Sequence, residues 1–98
     1  MPSSTAVVVT EKPSPYLKQL CKHFGHKIEV EFDDEHGRIV FEAGVVALDA
    51  TRPDALVLTA TADDAERLQR VENVAGSHLE RFGRRDELVV TWAAADAA

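Results

Sequence analysis

Two short stretches hold most of the reactive side chains in this 98-residue sequence. The first, Tyr16-Leu17-Lys18-Gln19-Leu20-Cys21-Lys22-His23-Phe24-Gly25-His26-Lys27, contains the only Tyr, the only Cys and two of the four His. The second is His78-Leu79-Glu80-Arg81-Phe82-Gly83-Arg84-Arg85. Three chemistries suit these residue types. Cys21, His23, His26 and His78 have the thiolate and imidazole donors that bind zinc and other transition metals. Lys22, His23, His26, Lys27, Arg81, Arg84 and Arg85 can neutralise an anion, with Arg gripping a carboxylate or phosphate through two parallel N–H bonds. Cys21 beside His23 or His78 would make a thiolate–imidazole nucleophile.

The elements that carry these residues weigh the three readings. The first stretch predicts a helix from about Pro15 to Phe24, with Ser14 as its cap and Pro15 at its first position. At 100° per residue Leu17, Leu20, Cys21 and Phe24 share one face, Lys18, Gln19 and Lys22 lie opposite, and His23 takes the flank. Gly25 reads as a left-handed stop, which leaves His26 and Lys27 just beyond the helix. Cys21 therefore faces the core and His23 does not. That weighs against the metal and nucleophile readings, and a buried Cys acting as a small hydrophobe is the simpler account.

The second stretch ends a longer helix. Asp63 and Glu66 form a capping box, Ala65, Leu68, Val71, Ala75, Leu79 and Phe82 make the apolar stripe, and His78 borders it. Gly76 inside this helix costs about 1 kcal/mol relative to Ala, so close packing there is expected. Both basic groups thus sit at helix C-termini, where cations complement the dipole. They merge into one anion site if the helices run parallel and stay apart as two patches if the helices run antiparallel.

Five further segments read as strands or turns. Val7, Val8 and Val9 favour an interior strand over Ser4 to Glu11. Ile28 to Asp33 alternates apolar and acidic residues, and Asp34-Glu35-His36-Gly37 turns the chain back. The acidic turn lacks the alternating oxygen ligands of a calcium loop. A return strand begins at Arg38, bends at Gly44 and continues to Asp49. Leu56 to Ala62 and Leu88 to Trp92 complete the set, and Ala93 to Ala98 reads as a frayed tail.

The order β-α-β-β-β-α-β predicts a single α+β domain over residues 1–98, ordered from about 4 to 92. It is a two-layer sandwich: an antiparallel sheet of four to five strands with two helices on one face. The other face would carry Val40, Val57, Thr59, Val89 and Thr91, apolar enough to suggest a homodimer through the open sheet.

A net charge of −6 argues against nucleic acid as a partner. No apolar run is long enough for a membrane helix, and Met1 to Thr5 lacks the basic start and apolar core of a secretion signal. One Cys fits a reducing compartment, so a cytoplasmic protein is expected. Gly-rich phosphate loops and Gly-x-Ser-x-Gly are absent.

The block from Tyr16 to Phe24 followed by His26-Lys27, the block His78-Leu79-Glu80-Arg81-Phe82, and Trp92 resemble the bacterial family known as domain of unknown function 2218, over nearly the whole chain from Thr5 to Trp92. After Phe82 that family implies a more aromatic continuation than Gly83-Arg84-Arg85. The resemblance implies an association with siderophore-interacting, flavin-type reductases, and so with iron–siderophore handling. It implies no established activity and no functional residues.

The reading reached from the sequence is a non-enzymatic accessory domain without a cofactor. It would bind an anionic small molecule or a siderophore-reductase partner through Lys22, His23, His26, His78, Arg81 and Arg85. The alternatives are a small metal-dependent or His/Cys-based enzyme using Cys21, His23, His26 and His78, and a structural dimerising module.

Overall fold

A computed structural model describes residues 2–94. The chain runs β1 (Ser3–Val9), α1 (Pro13–Gly25), β2 (Val30–Phe32), β3 (His36–Val40), β4 (Gly44–Asp49), β5 (Ala55–Ala62), α2 (Ala65–Phe82), a 3-10 turn (Arg84–Asp86) and β6 (Ala93–Ala94). All strand pairs are antiparallel, and the sheet order is β2-β3-β4-β5-β1-β6. The α+β architecture and the pairing of one sheet with two helices are as the sequence implies.

Alternation along the strands sets the two faces. Ala6 and Val8 of β1, Ile39 of β3, Val46 and Leu48 of β4, and Leu56, Leu58 and Ala60 of β5 are buried. They pack against Leu17, Leu20 and Cys21 of α1 and Val71, Ala75 and Leu79 of α2. Each fully buried Leu or Val here contributes roughly 1.5–3 kcal/mol relative to exposure. On the other face the register aligns Thr5, Thr59, Ala47, Arg38 and Glu31 in one row, and Val7, Val57, Asp49 and His36 in the next.

The sheet has six strands, more than the four to five expected. The expected single bent strand from Arg38 to Asp49 is two strands, because Phe41 and Gly44 exchange backbone hydrogen bonds and close a tight hairpin. A Cβ at Gly44 would stand 3.0 Å from Ala62 Cβ and 3.1 Å from Val71 Cγ2, besides overlapping the Thr61 carbonyl. Glycine is there because β5 and α2 crowd the start of β4.

The expected last strand, Leu88 to Trp92, forms no ladder. Leu88, Val90 and Trp92 pack inward while Val89 is 65% exposed, and the Val90 N–H is taken by Glu80 Oε2 at 3.0 Å. The paired strand is Ala93–Ala94, placed by the sequence reading in a frayed tail; residues 95–98 of that tail lie outside the described residues. Trp92 and Val90 also account for Gly76: a Cβ there would stand 3.2 Å from Trp92 Nε1 and 3.3 Å from Val90 Cγ1.

Both helices begin differently from expectation. α1 starts at Pro13 rather than Pro15, with Lys12 as N-cap and no side-chain cap. α2 is capped by Asp64, not Asp63, whose Oδ1 accepts the Arg67 N–H at 2.8 Å. Among the described residues no helix is long and apolar enough to cross a membrane.

Candidate functional site

The helices run antiparallel. Tyr16 at the start of α1 donates its hydroxyl to Asp86, beyond the end of α2, and Lys12 Nζ lies 3.8 Å from the same carboxylate. At the other end of α1, Phe24 stacks 5.0 Å from His78, about one turn before α2 finishes. The basic residues therefore do not gather at one corner. Arg84 and Arg85 belong to the turn beside the start of α1, whereas Lys22, His26 and Lys27 lie at its far end, about 15 Å away by the helical rise. Arg85 is thereby separated from the other candidate anion-binding residues.

What the packing does bring together is His23 and His78. Their ring centroids are 5.0 Å apart with planes tilted by 42°. Two phenylalanines pack against them, and a third packs on one of those two. Phe24 lies 5.1 Å from His23, Phe82 lies 5.4 Å from His23, and Phe41 stacks edge-on against Phe24 at 4.9 Å. Each ring arrives by a different route: His23 and Phe24 from the last turn of α1, His78 and Phe82 at i and i+4 on α2, and Phe41 from the β3–β4 hairpin.

One hydrogen bond fixes the chemistry of His78. Its Nδ1 stands 2.7 Å from the Val74 carbonyl oxygen. A carbonyl can only accept, so Nδ1 is the donor, and in the neutral ring Nε2 is the nitrogen with the free lone pair. His23 is exposed and His78 half-buried, so the pair meets solvent.

Next to the rings lies a cavity of about 430 Å³ lined by Phe41, Glu42, Ala43, Arg67, Arg70, Val71 and Val74. Its floor is apolar and two guanidiniums stand at its rim. Both are partnered at the surface: Arg70 with Glu66 at 3.0 Å, and Arg67 with Asp63 at 3.6 Å and Asp64 at 3.8 Å. Exposed pairs of this kind exchange readily for another anion, since each is worth less than about 1 kcal/mol.

Cys21 does not join the histidines. It is fully buried, and Gly37 of β3 makes room for it: a Cβ on Gly37 would come within 2.9 Å of its Sγ. Burial pushes its thiol up to about 11, the reverse of what a thiolate nucleophile or metal ligand needs. Among the described residues, no group of three or more His, Cys, Asp or Glu is placed to hold a metal ion. Lys22, His26 and Arg81 are exposed around the pair, His26 as the C-cap of α1 and Arg81 three residues after His78.

The sequence reading singled out His23 and His78 but not Phe24, Phe41 and Phe82 as their surroundings, nor Arg67 and Arg70. The signal for the phenylalanines was present in the boundary position of Phe24 and Phe82 on their stripes. Phe41 had no such signal, because its role depends on the hairpin at Gly44.

The chain matches the family model described as an uncharacterised protein conserved in bacteria, over residues 5–93. No curated protein matches it. Among solved structures it is similar to the NMR structure of PA4090 from Pseudomonas aeruginosa, at 36% identity and a TM-score of 0.79, covering 95% of this chain and 96% of that one. The match spans β1 to β6 and both ring-bearing helices, and the chain belongs to that bacterial family, DUF2218.

Proposed function

We propose that the chain is a non-enzymatic binding domain whose ligand is an anion with a flat apolar body, seated where His23 and His78 meet. The observation that carries this reading is the pair of imidazoles 5.0 Å apart, from two helices, at the edge of the core against the half-buried rings of Phe24 and Phe82. Rings there offer stacking surface, and imidazoles offer hydrogen bonds and, when protonated, charge. Lys22 beside His23 and Arg81 one turn after His78 add positive charge, His26 at the end of α1 adds a further imidazole, and the neighbouring cavity with Arg67 and Arg70 extends the site. The burial of Cys21 supports binding over nucleophilic catalysis.

Ferric catecholate siderophores are aromatic and polyanionic and have the chemistry this corner would take. The sequence resemblance implies an association with siderophore reductases, and such a reductase is the partner in this reading. The test is an amide and imidazole NMR titration of chelator-washed protein with 2,3-dihydroxybenzoate and its ferric complex. Shifts should centre on His23, Phe24, His78 and Phe82 and disappear in His23→Ala, whereas Arg85→Ala should bind normally. Equal binding by His23→Ala and wild type would sink the proposal.

A second reading is a dimerising module. Val7 is 48% and Val9 78% exposed on the open face, Val7 in line with Asp49 and beside a row that carries Arg38 and Glu31. A second copy of the chain fits such a face, since a surface with an apolar half and charges of both signs can complement itself about a two-fold axis. Sedimentation equilibrium of wild type and Val7→Lys decides it: a dimer that Val7→Lys dissociates supports this reading, and a monomer at every concentration removes it.

A further inference from the structure

We infer that His23 and His78 form a two-imidazole site for a borderline divalent metal ion, of the zinc, copper or nickel class, with its remaining coordination positions open. This goes beyond the anion reading, although it uses the same two rings.

Three observations carry it. First, the spacing fits. A metal–nitrogen bond of about 2.0–2.1 Å puts each ring centroid roughly 3.2 Å from the ion, so two imidazoles at a tetrahedral angle have centroids about 5 Å apart. The observed separation is 5.0 Å, and the 42° tilt splays the rings rather than stacking them face to face. Second, His78 is already in the tautomer a ligand needs. Its Nδ1 proton is given to the Val74 carbonyl at 2.7 Å, which leaves the Nε2 lone pair free and holds the ring in orientation. Metal-binding histidines are commonly fixed by such an outer hydrogen bond. Third, the two residues come from separate helices and both rings pack against Phe24 and Phe82, so the rings are already neighbours before any ion arrives.

No third His, Cys, Asp or Glu stands with the pair among the described residues. The open positions therefore fall to water or to the oxygens of an anionic chelator. Imidazole donors select the borderline ions over calcium or magnesium.

The probe is Zn²⁺ alone, added to chelator-washed full-length protein and followed by long-range ¹H–¹⁵N imidazole spectra and by thermal unfolding. The Nε2 resonance of His78 and one nitrogen of His23 should move together, Nδ1 of His78 should stay protonated, and the melting temperature should rise with Zn²⁺ concentration. His23→Ala should weaken Zn²⁺ binding about tenfold or more. His78→Asn, whose side-chain amide can still donate to the Val74 carbonyl, should do the same without loss of folding. Cys21→Ala and His36→Ala should bind as wild type. Unmoved imidazole resonances at millimolar Zn²⁺, or wild-type affinity in both His23→Ala and His78→Asn, would overturn the inference.

The anion reading fails separately. A chelator abolishes metal binding and leaves anion binding in place. Zn²⁺ binding without any anion effect supports the metal site alone, and metal-free anion binding with unmoved rings under Zn²⁺ supports only the anion site.

Discussion

Replacing the two helix-terminal glycines by alanine should have opposite effects on stability. Gly25 and Gly83 each follow the apolar stripe of a helix and each looks like a left-handed stop. Neither has a positive φ. Gly25 is the last residue of α1 proper, followed by His26 at φ −73°, and a Cβ on it would meet only Val30 Cβ at an ordinary 3.9 Å. Glycine inside a helix costs up to about 1 kcal/mol relative to alanine, and somewhat less in the last turn. Gly25→Ala should therefore stabilise by about 0.5 kcal/mol, a rise of roughly 2–4 °C in Tm for a domain of this size. At Gly83 the added methyl would overlap Cγ and Cδ1 of Leu88 and lie 2.9 Å from its Cβ. Leu88 is 7% exposed, and its N–H is bound to the Gly83 carbonyl at 3.2 Å, so a change of rotamer does not clear the space. Overpacking of this kind costs about 1–3 kcal/mol, and Gly83→Ala should melt roughly 4–20 °C lower. Urea unfolding of both variants beside wild type measures the pair, with midpoints moving and slopes constant. A loss of more than about 0.5 kcal/mol in Gly25→Ala would refute the argument, because it would mean that the residue does need the left-handed conformation.

The residue that does occupy that region is Glu87, at φ 55° and ψ 41°, so Glu87→Gly should gain up to about 1 kcal/mol in the same urea assay. The hydrogen bond to Asp86, together with burial, raises the Tyr16 pKa above its ordinary value. Its contribution is complete below about pH 10 and is lost as pH rises through the folded value, so Tyr16→Phe should lose less stability than wild type in alkaline urea melts. Below that range Tyr16→Phe should be less stable than wild type by about 1 kcal/mol. Cys21, with its thiol pushed up to about 11, should react with a disulfide reagent at pH 8 only as fast as the protein opens, and stabilising the fold should slow the reaction. The carboxylates of Asp33, bound by the N–H groups of Glu35 and His36, and of Asp49, bound by Thr51, are held below the usual range. They stabilise above about pH 4, and that contribution is lost as pH falls through the lowered folded values. Asp33→Asn and Asp49→Asn should therefore flatten the acid limb of the stability profile.

The helices and the buried side of the sheet were legible because their signals are periodic. Leu17, Leu20 and Cys21, or Val71, Ala75 and Leu79, are spaced by the helix itself and need no distant partner to be read. The strand boundaries were not, because they depend on contacts across the fold. Nothing local distinguishes Gly44 as the corner of a hairpin until β5 and α2 press on it, and nothing in Leu88 to Trp92 reveals that Glu80 claims the Val90 N–H. At the candidate site the histidines stood out by type. Their pairing depended on the antiparallel course of the helices, which follows from Tyr16 and Asp86 across 70 positions of sequence. The left-handed backbone was read at Gly25 and occurs at Glu87, since the tight turn after α2 is set by Leu88 folding back on Gly83.

The seat of β1 has a consequence for how the chain reaches its fold. The first of the six strands has its neighbours far along the chain: Ser3 pairs with Thr61, and Ser4 also with Ala94. On the ribosome Val7-Val8-Val9 must wait, unpaired and strongly strand-prone, until β5 has emerged and closed a long loop entropically. The hairpins β2–β3–β4–β5 can assemble meanwhile from near neighbours. The N-terminal strand is thus made first and seated late, and during that interval its three valines are the segment of this protein most open to capture by a chaperone or by another nascent chain.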